Sequence, residues 1–229
     1  MPRTLRLRRK SRTRGRSRYA PGFRQCISGV SHRYNVAGMD KLLESASAGD
    51  ALAQYELALG YDNTEGEGRD PAAAARWYRL AADQGHADAQ LHLGLMYDSG
   101  DGVVQDEAVA ADWYRRAAEQ GNADAQVNLG LMYLNGSGVA QNDAAALQCF
   151  RLAAKLNHPK AQFNLGALLY NGTAGEPDLG EVCQWWTLAA MQGHPSAQQN
   201  LEILTGKLSR EQLARSQAAV AEFMHRLSV

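Results

Sequence analysis

Three histidines, His86, His158 and His194, stand at intervals of 72 and 36 residues. Neutral imidazole is the commonest metal ligand, so the pattern raises zinc binding. A zinc ion needs its ligands within about 2.0–2.3 Å, whereas neighbouring helix axes already lie about 8–10 Å apart. The spacing therefore predicts three turn residues, and no metal or other cofactor is expected. Asp62, Glu65, Glu67 and Asp70 form an acidic run. It misses the D-x-[DN]-x-[DN]-G order of a calcium loop, which predicts a solvated turn. Cys26, Cys149 and Cys183 are sparse and odd in number, with no C-x-x-C. That excludes a disulfide framework and predicts buried free thiols at Cys149 and Cys183, in a reducing compartment, the cytoplasm. No G-x-S-x-G, H-E-x-x-H or G-x-x-x-x-G-K-[ST] occurs, so the chain is not expected to be an enzyme.

One set of residues suits recognition rather than reaction. Glu56, His92, Asn128, Asn164 and Asn200 recur every 36 residues. A primary amide offers both a donor and an acceptor, the two functions a peptide backbone presents. Leu52, Asp88, Asp124, Lys160 and Ser196 precede them by four; Leu59, Leu95, Leu131, Ala167 and Ile203 follow by three. On a helix these offsets share one face, giving a charged, an amide and an apolar row. The candidate partner-binding residues are His92, Asn128, Asn164, Asn200, Asp88, Asp124 and Lys160. A second reading stays open, in which the amides serve local architecture.

The elements that would carry these rows follow from the same period. Gly49, Gly85 and Gly121 recur every 36 residues, and Asn157 and Gly193 continue the step. Unbroken ladders run through Ala53 to Ala197, Gln54 to Gln198 and Leu57 to Leu201. Each unit reads as two helices. The first covers A-x-A-Q-x-x-L-G-x-x-Y, where Ala89, Leu93, Met96 and Tyr97 share a face. A Gly-rich turn follows, as at Gly100 and Gly102 or Gly136 and Gly138. The second helix starts at a capping Asp70, Asp106, Asn142 or Asp143, and Asp178. It runs through Trp77-Tyr78 or Trp113-Tyr114 to an Ala-Ala step. The recurrent Gly lies just past that helix, where a left-handed residue ends it best, and Asn157 tolerates the same conformation. Gly94, Gly130 and Gly166 lie inside the first helices, where Gly costs about 1 kcal/mol against Ala; this predicts close backbone approach between the paired helices, with large Trp, Tyr and Phe side chains filling the gaps beside these small residues.

The stretch Gly121-Asn-Ala-Asp-Ala-Gln-Val-Asn-Leu-Gly-Leu-Met-Tyr-Leu-Asn-Gly-Ser-Gly-Val139 resembles the Sel-one-like repeat, a relative of the tetratricopeptide repeat. The resemblance covers about residues 49–209. Ala58 in the first unit, Cys149-Phe150 in the third and Leu169 with a turn at Gly172 and Gly175 in the fourth depart from it. It implies an all-α, right-handed superhelical solenoid of about four 36-residue two-helix repeats with capping helices. It also implies a protein-interaction scaffold or adaptor whose first helices line a concave groove for a protein or peptide segment. Some relatives of the repeat are linked to β-lactam hydrolysis, but the S-x-x-K of such serine enzymes is missing here.

At the ends, residues 40–48 read as a lone second helix capped by Asp40, with Leu42 and Leu43 docking. Ser209-x-x-Gln212 is a capping-box pattern. After it, Leu213, Val220, Phe223, Met224 and Leu227 are expected to form one apolar stripe of a closing helix at residues 209–229. The repeat array is expected over 39–208. Residues 1–38 stand apart: up to Met39 the chain holds eleven basic residues and no acid. The other 13 of the 24 basic residues face all 24 acids. A solvated tail binding nucleic acid or an acidic partner, a transit peptide, and translation starting at Met39 stay open; a secretory signal is excluded for want of an apolar stretch. Nucleic acid is not the partner expected of the array. No run approaches about 18 apolar residues, so no membrane span is expected, and the protein is read as a monomer.

Overall fold

The computed structural model describes residues 36–62 and 69–228, and these contain eleven helices. In chain order they are α1 (Val36–Ser47), α2 (Ala51–Asp62), α3 (Pro71–Asp83), α4 (Ala87–Ser99), α5 (Glu107–Glu119), α6 (Ala123–Asn135), α7 (Asp143–Lys155), α8 (Pro159–Tyr170), α9 (Leu179–Met191), α10 (Pro195–Thr205) and α11 (Arg210–Ser228). Each helix packs on the next up to α10, which makes a right-handed, all-α solenoid. The readings of the basic N-terminus and of Cys26 lie outside the described residues.

The joint between units is built from four recurring groups. Gly49, Gly85, Gly121 and Gly193 take φ values of +102°, +92°, +86° and +83°. Asn157, at +64°, is the non-Gly residue in the left-handed region among the described residues. This turn lets the residue after it return an N–H to the first carbonyl of the Ala-Ala step: His86 to Ala81, Asn122 to Ala117 and His158 to Ala153, at 3.1–3.2 Å. That residue then caps the next helix, and the ladder Gln reaches back to the second carbonyl. Gln54, Gln90, Gln126 and Gln162 donate from Nε2 to Ala46, Ala82, Ala118 and Ala154 at 3.0, 3.0, 3.2 and 3.4 Å. Helix ends leave carbonyls without intrahelical partners, and here buried amides supply them.

The Gln acceptor oxygen is satisfied in turn by a glutamine ending the unit's second helix. Gln84, Gln120 and Gln192 donate to Gln54, Gln90 and Gln162 at 2.8, 2.7 and 2.8 Å. In the third unit that place is Leu156, and Oε1 of Gln126 is buried without a partner. Asn157 also does more than tolerate its backbone angle: its Oδ1 accepts from Gln162 at 3.1 Å and Gln192 at 3.0 Å.

The glycines inside the first helices have the expected aromatic side chains as their nearest neighbours. A Cβ on Gly94, Gly130 or Gly166 would lie 2.6, 2.8 or 2.5 Å from Tyr114, Phe150 or Trp186. Each glycine therefore leaves room for the aromatic ring of its own unit's second helix to reach the helix backbone. Backbones do approach between units. A Cβ on Gly102 would overlap the Pro71 carbonyl, and one on Gly138 the Glu107 carbonyl, so each turn sits on the start of the preceding unit's second helix.

Asp70, Asp106, Asn142 and Asp178 are the N-caps of α3, α5, α7 and α9. At the N-terminal end α1 begins at Val36, so Asp40 lies inside the helix and does not cap it; the pattern from Asp40 missed the turn ahead of it. Leu42 and Leu43 are buried as expected, and Ala46 is buried too. At the other end Ser209 and Gln212 form the reciprocal box, at 2.9 and 3.1 Å. The closing helix lies along α9, with Phe223 edge-on to Trp185 at 5.9 Å. Its inner stripe is Leu213, Ser216, Val220 and Phe223, whereas Met224 and Leu227 are exposed. The helix has 19 residues against 13 in α9, so at about 1.5 Å per residue it outruns its support.

Two outcomes test the joints. Leu156→Gln should stabilise the protein by about 1 kcal/mol in denaturant melts, because it returns a donor to the stranded Gln126 oxygen. Gly138→Ala should destabilise more than Gly121→Ala. Both pay for a left-handed alanine, but only the first meets backbone.

Candidate functional site

The amide row lies on the first helices as the period requires. His92, Asn128, Asn164 and Asn200 sit on α4, α6, α8 and α10, and all four are half-buried. The caps aim these helices: His86 Nδ1, Asn122 Oδ1 and His158 Nδ1 accept from Ala89, Ala125 and Ala161 at 3.3, 2.9 and 3.3 Å. Among the described residues, the side chains of Asn128, Asn164 and Asn200 make no hydrogen bond, whereas Gln126 and Gln162, on the helices of the first two, are engaged; Gln198, on α10 with Asn200, is exposed and unbonded. His92 differs from its counterparts. Its ring stacks on Tyr78 at 4.9 Å and 8°, with Tyr55 at 5.9 Å. Burial holds its pKa below the usual imidazole value, against the pull of Asp62 and Asp88.

The charged row does two jobs. Asp88 accepts from the Asn122 amide at 2.9 Å, and Asp124 meets His158 Nε2 at 3.0 Å, so each carboxylate ties its unit to the cap of the next. Both remain exposed, Asp124 by 70% of its side chain, and so does Lys160. The apolar row is open: Leu95, Leu131 and Ile203 are 41%, 38% and 65% exposed.

Where α8, α9 and α10 meet, these rows border a hollow of about 210 Å³. Asn200, Ala167 and Ile203 line it together with Tyr170, Asn171 and Trp186. The last three were not read as site residues from the sequence. The available signal was the break in the apolar row, where Ala167 follows Leu95 and Leu131. A second hollow lies at the far end, between α1 and α2, beside Leu52 and Glu56.

The other reactive residues have local roles. His86 and His158 are caps, while His194 makes no cap bond; it stacks on Phe163 at 4.3 Å, with Nδ1 buried and unpartnered. Burial, aided by Lys160, lowers its pKa. Asp62 accepts from Tyr78 at 3.3 Å and from Arg69 at 3.0 Å, and Arg69 also pairs with Asp101 in the next unit. Glu65 and Glu67 lie outside the described residues. Cys149 is half-buried and Cys183 buried; both thiols are free, and burial pushes that of Cys149 up, away from the reactive thiolate. No helix among the described residues is long and apolar enough to cross a membrane.

The family model of the Sel1 repeat matches four times, at residues 51–86, 87–122, 123–158 and 159–194. The chain belongs to the Sel1 repeat family. Each match is one pair of helices plus its joint, so the family unit and the structural unit coincide. A Sel1 repeat protein from Oxalobacter formigenes is similar at 30% identity and a TM-score of 0.68, over 79% of this chain and 74% of that one. The protein c5321, a protective antigen in uropathogenic Escherichia coli strains displaying an SLR fold, is similar at 26% identity and a TM-score of 0.54. That match covers 80% of this chain and 47% of the antigen, so this Sel1 chain spans about half the antigen's length. No curated protein matches. Sel1 repeat proteins generally act as protein-interaction scaffolds, and their fold is typically non-enzymatic.

The depressed imidazoles set a pH dependence. A folded-state pKa below the unfolded value means that stability is full above about pH 6.5 and lost as pH falls toward the lowered value. The Tm should therefore drop between pH 7 and pH 5. His92→Phe keeps a ring on Tyr78 and should flatten that drop, leaving the part due to His194. An unchanged slope in thermal melts would place the titrating group elsewhere.

Proposed function

We propose that this Sel1 array is an adaptor that holds an extended protein segment along the groove of its first helices, gripping the segment's backbone with Asn128, Asn164 and Asn200. The observation that carries this reading is the set of three half-buried amides without a hydrogen-bond partner among the described residues. An amide kept for architecture would be bonded within the fold, as those of Gln54, Gln90, Gln126 and Gln162 are. An amide kept for a partner waits with donor and acceptor unspent. Asp88, Asp124 and Lys160 flank the row with charge, and His92 offers a packed aromatic face instead of an amide. The reading is of a monomeric adaptor in the cytoplasm, in keeping with two free thiols.

Ligands for the test come from a random linear peptide library selected on the full chain. Asn128→Ala and Asn164→Ala should each weaken a selected peptide by about 1–3 kcal/mol, because a buried peptide group loses its bond. Thermal melts of both variants should move little, since half-exposed amides without bonds contribute little to folding. Unchanged affinity in calorimetric titrations, with a lowered Tm, would make the row architectural.

A further inference from the structure

We infer that the hollow beside Asn200 is an anchor pocket for one large apolar side chain of a basic segment lying along the groove. The inference rests on the groove reading above and gives the partner its chemistry. Size comes first. Pockets for whole small molecules measure about 300–1,000 Å³, and this one is about 210 Å³, room for one large side chain. Its two aromatic walls have their polar handles engaged elsewhere. The Trp186 indole N–H donates to the Phe163 carbonyl at 3.1 Å, and the Tyr170 hydroxyl accepts from the Lys207 ammonium at 2.9 Å. Both rings are thereby held in place and present carbon. The unbonded Asn200 amide lines the same hollow, placed to take the backbone of the residue whose side chain enters.

The pocket exists through one departure from the repeat. Leu95 and Leu131 fill the apolar row in the second and third units, and Ala167 stands there in the fourth. The missing isopropyl group adds to the space beside Tyr170, Trp186 and Ile203. Charge selects the rest of the segment. Glu56 stands in the amide row of the first unit, Asp88 and Asp124 flank the row in the second and third, and beyond Met39 the chain sets 24 acids against 13 bases. Asp124 stays open to a partner although His158 touches it. A segment with Lys or Arg over those units is steered to the array and favoured along it.

The probes are the peptides selected from the random linear library, with parallel selection on Ala167→Leu. This variant writes the second and third units' own residue into the fourth, so its Tm should match the wild type. Selected peptides should share one Trp, Phe or Leu with flanking Lys or Arg, and Ala167→Leu should weaken them about tenfold or more. Replacing the peptide's anchor by Ala should cost as much on the wild type and almost nothing further on Ala167→Leu. That double-mutant cycle stands even if the variant loses some stability. Acidic selected sequences, or peptides that bind Ala167→Leu as tightly as wild type, would overturn the inference. If those peptides still weaken on Asn128→Ala, the groove survives and the pocket falls. If neither substitution matters, or nothing is selected, both fall.

Discussion

Everything in this array hangs on the joint between one unit's second helix and the next unit's first. There a left-handed residue, a cap and a buried glutamine satisfy the helix end together. The two alanine carbonyls of each step receive backbone N–H groups from the three residues of the turn, and at Ala82, Ala118 and Ala154 a Gln amide as well, so the chain reverses without stranding those acceptors. Because the same four groups recur, each joint turns the chain through a similar angle, and a repeated turn of constant geometry is a superhelix. The rings of Tyr114, Phe150 and Trp186 then fill the space that the helix glycines leave open.

The third unit shows how tightly these contacts are coupled. In the first two units a buried Tyr78 or Tyr114 hydroxyl donates to Asp62 or Asp98, at 3.3 and 3.5 Å. In the third unit both partners change, to Phe150 and Leu134, which pack in one apolar cluster. Replacing both members of a buried polar pair by apolar groups costs little, whereas replacing one strands the other. The end of the same unit follows the costlier route. Leu156 replaces glutamine while Gln126 remains, and an oxygen is left alone. Asn157 beside it accepts from Gln162 and Gln192 and does not reach that oxygen.

The binding face follows from what the core leaves over. Ala, Gln, Leu and Gly on the first helices are consumed by neighbours, which confines freedom to the positions between them. The amide, charged and apolar rows occupy that remainder, on helices whose directions the joints fix. Recognition residues mounted on rigid elements need little ordering when a segment binds.

The sequence by itself determined the fold class, the 36-residue unit, the caps, the left-handed joints and the position of each row. These are local or periodic properties, and a period of 36 repeats them often enough to be read without coordinates. Asp40 misled because a helix start depends on the turn ahead of it as much as on the capping residue. Only the tertiary structure decided what meets what. It closed the Gln84–Gln54 and Gln120–Gln90 pairs across 30 residues and tied Asp88 and Asp124 to the following unit. It also turned the change to Ala167 into a hollow walled by Trp186 and Tyr170. A sequence shows which residue departs from the repeat; the space that the departure opens depends on side chains from three helices at once.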